Sequence, residues 1–171
     1  AVGPGLGQSK ESEAALLHLI DNCKAPMVLD ADALNILARN PAYMQRLPQG
    51  SIITPHIGEF ARLFGATESS YVRLQAAQAY SMTFGVTIVL KGAHTVVVTQ
   101  LGTMHFNSTG NPGMATAGCG DVLTGCILSL LARGLTAPDA ARLAVYIHGL
   151  AGDIAAAQQI CNSYSPEEKK A

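Results

Sequence analysis

Apolar residues recur along this chain with two spacings, and the two alternate. Short β-branched or aliphatic runs, "MVL", "SIIT", "VTIVL" and "HTVVV", are separated by longer segments in which apolar residues return every three or four positions. The first pattern predicts strands and the second helices. Their alternation predicts an α/β domain with a mainly parallel sheet flanked by helices.

The first helix is expected in "SKESEAALLHLIDNC". Ser9 suits its N-cap, Glu11 and Glu13 its first turn, and Leu16, Leu17, Leu19 and Ile20 a buried stripe. A strand "PMVLDA", a short helix around "DALNILARN", a strand "SIIT", the segment "PHIGEFARLFG" and a long helix through "SSYVRLQAAQAYSMTFG" follow. Three closely spaced strands, "VTIVLKG", "HTVVVTQ" and "TMHFN", are joined by gaps short enough for hairpins. Two packed helices, "DVLTGCILSLLARG" and "APDAARLAVYIHGLAGDIAAAQQI", complete the pattern. At the other end, "AVGPGLGQSK" reads as a strand-to-helix loop with only Ala1 and Val2 ahead of it, so the domain is expected to lack its first strands. Residues 1–160 are taken as that domain and 161–171 as a polar tail.

Composition narrows the function classes. The 171 residues are 49% hydrophobic and 13% charged, enough for one sizeable core. A formal net charge of -1, with no basic cluster outside the terminal "EEKK", offers no footprint for nucleic acid or an anionic membrane. The apolar runs are far shorter than the ~20 residues of a membrane span, so a cytoplasmic protein is expected. The four cysteines form no CxxC pair and are read as reduced, with no metal site assigned.

The chemistry concentrates in "NSTGNPGMATAGCGDVLTG", residues 107–125. Small residues before a helix leave backbone N–H groups unobstructed, and the helix N-terminus adds the positive end of its dipole: an anion cradle. A carboxylate in that place, Asp121, suits a base that takes a proton from a hydroxyl attacking phosphorus, and equally suits an N-cap. Lys91 in "VLKGAHTVVV" stands at a strand end, where ligands of open α/β sheets gather, though a solvated charge would also sit there. His56 in "TPHIGEF" suits a substrate hydrogen bond or a brace for the following helix. In "LDADALN", Asp30, Asp32 and Asn35 suit either a phosphate-linked role or a cap, with Asp32 favoured as the cap. His148 and Asp153 in "HGLAGD" are read as structural.

Taken in order, "GPGLG", "LDADALN", "TPHIGEFARL", "VLKGAHTVV", the glycine-rich stretch and "HGLAGD" resemble the ADP/ATP-dependent NAD(P)H-hydrate dehydratases of the ribokinase-like superfamily. The resemblance spans residues 3 to about 155 and implies a ribokinase-like three-layer sandwich. It implies repair of hydrated NADH or NADPH, in the S form, by phosphoryl transfer to the ring hydroxyl and elimination of phosphate, with ADP or ATP as donor and Mg²⁺ bridging phosphates. It assigns Gly5, His56 and Asp121 to the hydrated dinucleotide, with Asp121 catalytic. Lys91, Gly92, Ala93, His94, Thr95 and Gly120 go to the adenylate, and Ala117, Gly118, Cys119 and Gly120 to an anion hole. A homo-oligomer is implied as well. The chain departs from the family pattern at Ala117, where glycine is usual. A small-alcohol kinase of the same superfamily, or a catalytically silent nucleotide-binding module lacking its first strands, would share the cradle.

Overall fold

The computed structural model describes residues 1–164, with side chains to residue 159. Among these residues five strands form one sheet in the order β1-β2-β3-β4-β5: β1 (Val28–Leu29), β2 (Ile52–Ile53), β3 (Thr87–Leu90), β4 (Val96–Val98) and β5 (Met104–Phe106). β1, β2 and β3 are parallel, and Val2 adds a parallel bridge to Leu29 on the outer side of β1. β3, β4 and β5 are antiparallel hairpins, as the short gaps predict.

Among the described residues six α-helices accompany the sheet: α1 (Lys10–Asn22), α2 (Ala31–Arg39), α3 (Ile57–Phe64), α4 (Ser70–Phe84), α5 (Cys119–Ala132) and α6 (Ala137–Tyr164). Strand side chains alternate between two cores, as a pleated sheet requires. Val28, Ile52, Val89 and Val97 pack with Leu123, Ile127 and the alanines of α6. Leu29, Ile53, Ile88 and Leu90 pack on the opposite side with Leu16, Leu34, Leu37 and Phe60. Helices on both faces of the sheet make the three-layer arrangement and explain why these strands read as unbroken apolar runs.

Local choices follow the sequence closely in α1. Ser9 caps it by accepting from the Ser12 N–H at 3.2 Å. Its stripe is narrower than predicted, because Leu16 and Ile20 are buried whereas Leu19 is 41% exposed. At about 100° per residue, Leu19 turns away from Ile20 towards water. The predicted boundary at residue 161 falls inside the last turn of α6, and residues 165–171 lie outside the described residues. Among the described residues no helix is long and apolar enough to cross a membrane.

Candidate active site

The C-terminal ends of β1, β2 and β3 lie side by side, and the chain places a polar residue just beyond each. Asp30 follows β1, His56 stands shortly after β2, and Lys91 follows β3, its N–H donating to the Pro55 carbonyl at 2.9 Å. This is also where pairing changes from parallel to antiparallel, the kind of crevice in which open α/β sheets hold ligands.

Asp30 organises the strand ends. Its side chain is almost wholly buried, and both oxygens are engaged: Oδ1 accepts from Lys91 Nζ at 2.7 Å and from the Ala31 N–H at 2.9 Å, and Oδ2 accepts from Thr124 Oγ1 at 2.8 Å. Buried charge is tolerated only with such pairing. Asp30, rather than the expected Asp32, therefore caps α2. Asp32 instead holds the "GPGLG" loop, accepting from the Gly7 N–H at 3.0 Å and from Gln8 Nε2 at 2.8 Å. Arg62 Nη1 donates to Asn35 Oδ1 at 2.7 Å, tying α3 to α2.

His56 is the N-cap of α3. Its Nδ1 accepts from the N–H groups of Gly58 at 3.0 Å and Glu59 at 3.4 Å, and Glu59 Oε2 accepts from the His56 N–H at 2.8 Å. The bracing role is thus present, and the capping bond assigns the ring proton to Nε2, which lies 3.5 Å from Glu59 Oε1 on an exposed ring. Buried Glu59 also brings Oε2 to 3.9 Å from Lys91 Nζ.

The head of α5 is built differently. Gly118 is its N-cap, with φ 85° and ψ -16°, a left-handed conformation that suits glycine, and no side chain caps the helix. Asp121 is therefore not the N-cap; it stands in the first turn, exposed and without a hydrogen-bond partner among the described residues. The Cys119 N–H donates to the Thr116 carbonyl at 3.3 Å. Among the described residues, those of Ala117, Gly118, Gly120 and Asp121 meet no protein acceptor. Free N–H groups at the positive end of a helix form an anion cradle.

The loop ahead of this helix is moored to α6. Asp153 Oδ2 accepts from the Gly110 N–H at 2.8 Å and Oδ1 from Asn111 Nδ2 at 3.0 Å, and these donors, the asparagine foremost, hold its pKa below the usual carboxylate value. Thr109 Oγ1 donates to the Tyr146 carbonyl at 2.9 Å. A Cβ on Gly149 would run into Thr109, and one on Gly152 into Met114, so the glycines of "HGLAG" permit the close approach. His148, between these anchors, is half-buried; burial lowers its pKa, opposed in part by a hydrogen bond with the Cys119 backbone.

A cavity of about 740 Å³ opens between these parts. It brings together His56, Lys91, Gly92, Ala93, Thr95, Cys119 and Gly120. Gly5, His94, Ala117, Gly118 and Asp121 are not among its wall residues, although Asp121 directly follows Gly120. Asn107, Thr109 and Asn111, to which sequence reasoning gave no role, also line it, as does His148, which was read as structural. The clustering of short polar side chains in "NSTGN" is the signal that could have marked the first three.

Comparison with known proteins agrees with the geometry. Residues 1–169 match the family model Carb_kinase, described as NAD(P)H-hydrate dehydratase. The bifunctional NAD(P)H-hydrate repair enzyme Nnr of Thermofilum pendens is 43% identical over 161 residues, which are 93% of this chain and 31% of that protein. The ADP-dependent (S)-NAD(P)H-hydrate dehydratase of Neisseria meningitidis is 42% identical over 159 residues, 90% of this chain and 53% of the relative. Among solved structures, the Bacillus subtilis ADP/ATP-dependent NAD(P)H-hydrate dehydratase co-crystallised with ATP/Mg²⁺ superimposes with a TM-score of 0.74 at 34% identity, covering 96% of this chain and 56% of that one. A ribokinase-like superfamily protein of Enterococcus faecalis superimposes with a TM-score of 0.78 at 30% identity, covering 91% and 55% respectively. The chain spans between 31% and 56% of the length of these proteins.

Proposed function

The chain belongs to the NAD(P)H-hydrate dehydratase family, and from that premise we propose that its site returns hydrated NADH or NADPH, in the S form, to the intact cofactor, with ADP or ATP as phosphoryl donor. The observation that carries this reading is the meeting, across one cavity, of a strand-end wall of Lys91, Gly92, Ala93 and Thr95 with Gly120 at the head of α5, where unpaired N–H groups and one free carboxylate stand together.

In this mechanism the adenylate lies along Lys91, Gly92, Ala93, His94 and Thr95, and the transferred phosphoryl group faces the N–H groups of Ala117, Gly118 and Gly120. Those donors stabilise charge as it develops on the phosphoryl oxygens. Asp121 accepts the proton of the ring hydroxyl as its oxygen attacks phosphorus, and the bond to the nucleotide's leaving oxygen breaks. The phosphorylated ring then loses phosphate by C–O cleavage and a proton from the neighbouring carbon, restoring the double bond. His56 Nε2–H and the Gly5 loop contact the dinucleotide.

Among the described residues no three His, Cys, Asp or Glu side chains cluster into a metal cage, and the carboxylates of Asp30 and Glu59 face Lys91. A divalent cation such as Mg²⁺ fits as a companion of the nucleotide phosphates and water, a common arrangement for this ion, and it would neutralise phosphate charge there. The reading takes the setting as cytoplasmic and the assembly as a homo-oligomer; Leu143, Ile147, Leu150 and Ile154, exposed along α6, support self-association. The family match favours the dehydratase over a small-alcohol kinase.

The test incubates the purified chain with chemically hydrated NADH, Mg²⁺ and either ADP or ATP. Recovery of reduced-nicotinamide absorbance is expected, with the active nucleotide identifying the donor. A stable phosphorylated product without recovery would contradict the dehydratase and support the kinase.

A further inference from the structure

Cys119 opens α5 and His148 lies on α6, and their side chains meet on the wall of the main cavity with Sγ 3.5 Å from Nε2. The dehydration scheme gives the thiol no part. Three circumstances set it apart from the other described cysteines. It stands at the first position of a 14-residue helix, on the cavity side rather than in the core. An imidazole is within reach of its proton. Its immediate neighbour on the cavity wall is Gly120, with no side chain to obstruct an incoming reagent. Cys126, by contrast, packs against the core beneath α5, and the Cys23 thiol donates to the Ala25 carbonyl at 3.5 Å; neither lines the cavity.

We propose that Cys119 and His148 form a thiol modification site that takes a small disulfide by exchange, and that the resulting mixed disulfide closes the cavity to an anionic ligand. The neutral imidazole, which burial favours, accepts the thiol proton at Nε2 in its Nδ1–H tautomer. The thiolate attacks one sulfur of the disulfide. A new S–S bond forms on Cys119, the old one breaks, and the leaving thiolate carries off the electron pair and is protonated by the imidazolium. Cys119 is oxidised as the small disulfide is reduced. The added group then stands beside Gly120, where a Cβ would already lie 3.5 Å from Lys91 Nζ. The exchange chemistry stands on this geometry alone; its effect on adenylate rests on the proposed function.

Dipyridyl disulfide, which is uncharged and releases an absorbing thione, is the probe, with peptide mapping to assign each modified cysteine. Cys119 is expected to exchange at least about tenfold faster than Cys126 and Cys23, and His148→Gln to slow it by about tenfold while Cys126 keeps its rate. The unchanged Cys126 rate certifies that the variant is folded, and Cys119→Ser should abolish the fast phase. Exchange of Cys119 no faster than that of Cys126, or indifference to His148→Gln, would overturn the proposal. Saturating ADP should slow the fast phase; a fast, His148-dependent exchange that ADP leaves untouched would keep the thiol site and remove adenylate from the cavity.

Discussion

Two regions border the same cavity and are made on opposite plans. At the strand ends, Asp30, Lys91 and Thr124 join residues from β1, β3 and α5 through buried bonds of 2.7–2.8 Å. At the head of α5, Ala117, Gly118, Gly120 and Asp121 leave backbone donors, and Asp121 its carboxylate, without protein partners among the described residues. A buried group that has spent its bonding capacity within the protein holds a shape. An exposed group that retains that capacity can bind or react. Substitutions at the strand ends should therefore act first on stability, and those at the loop on chemistry.

The largest stability effect is expected from Asp30→Ala. Removing one member of a buried pair leaves Lys91 with only Glu59, 3.9 Å away, as a counter-charge and strips Thr124 of its acceptor, and a loss of about 3 kcal/mol in urea unfolding is the expected result. A loss no larger than that of a surface substitution would show that the strand-end cluster is not structural. Thr124→Val is a smaller probe of the same region, because it strips one hydrogen bond from Asp30 and keeps the shape; about 1–3 kcal/mol should be lost.

These partners were not legible in the sequence for a definite reason. Lys91 and Thr124 lie 61 and 94 positions from Asp30, so no local pattern connects them. What could be read was local: the Ser9 cap, the hairpin gaps around β4, and a lysine at the end of β3. The capping competition was misjudged at Asp32 and left open at Asp121 because composition alone cannot say which of two nearby polar residues meets the free N–H groups. Asp30 took the cap at α2 and Asp32 the neighbouring loop, while glycine took the cap at α5. The role of Asp153 depended on a loop 42–43 positions away.

That mooring gives the smallest expected effect and sharpens the contrast within the loop itself. The pKa of Asp153 is depressed in the folded protein, so its stabilising bonds are present above the ordinary carboxylate pKa and are lost as pH falls through the lower folded value. Amide exchange at Gly110 should accelerate over that acidic range in the native chain. In Asp153→Ala, which keeps neither acceptor oxygen, it should be fast already at neutral pH and change little on acidification, once intrinsic exchange rates are taken into account. A Gly110 amide equally protected in both proteins would show that the loop is held by Thr109 and the glycine contacts of α6 alone.

The central claim is that the two regions divide shape from chemistry, and Asp121→Asn tests it most directly. Turnover of hydrated NADH and the urea midpoint should be measured on one preparation. Turnover should fall by at least about a hundredfold, in keeping with removal of a general base, with the midpoint unmoved. Unchanged turnover, or a fall in turnover matched by a fall in stability, would contradict that claim.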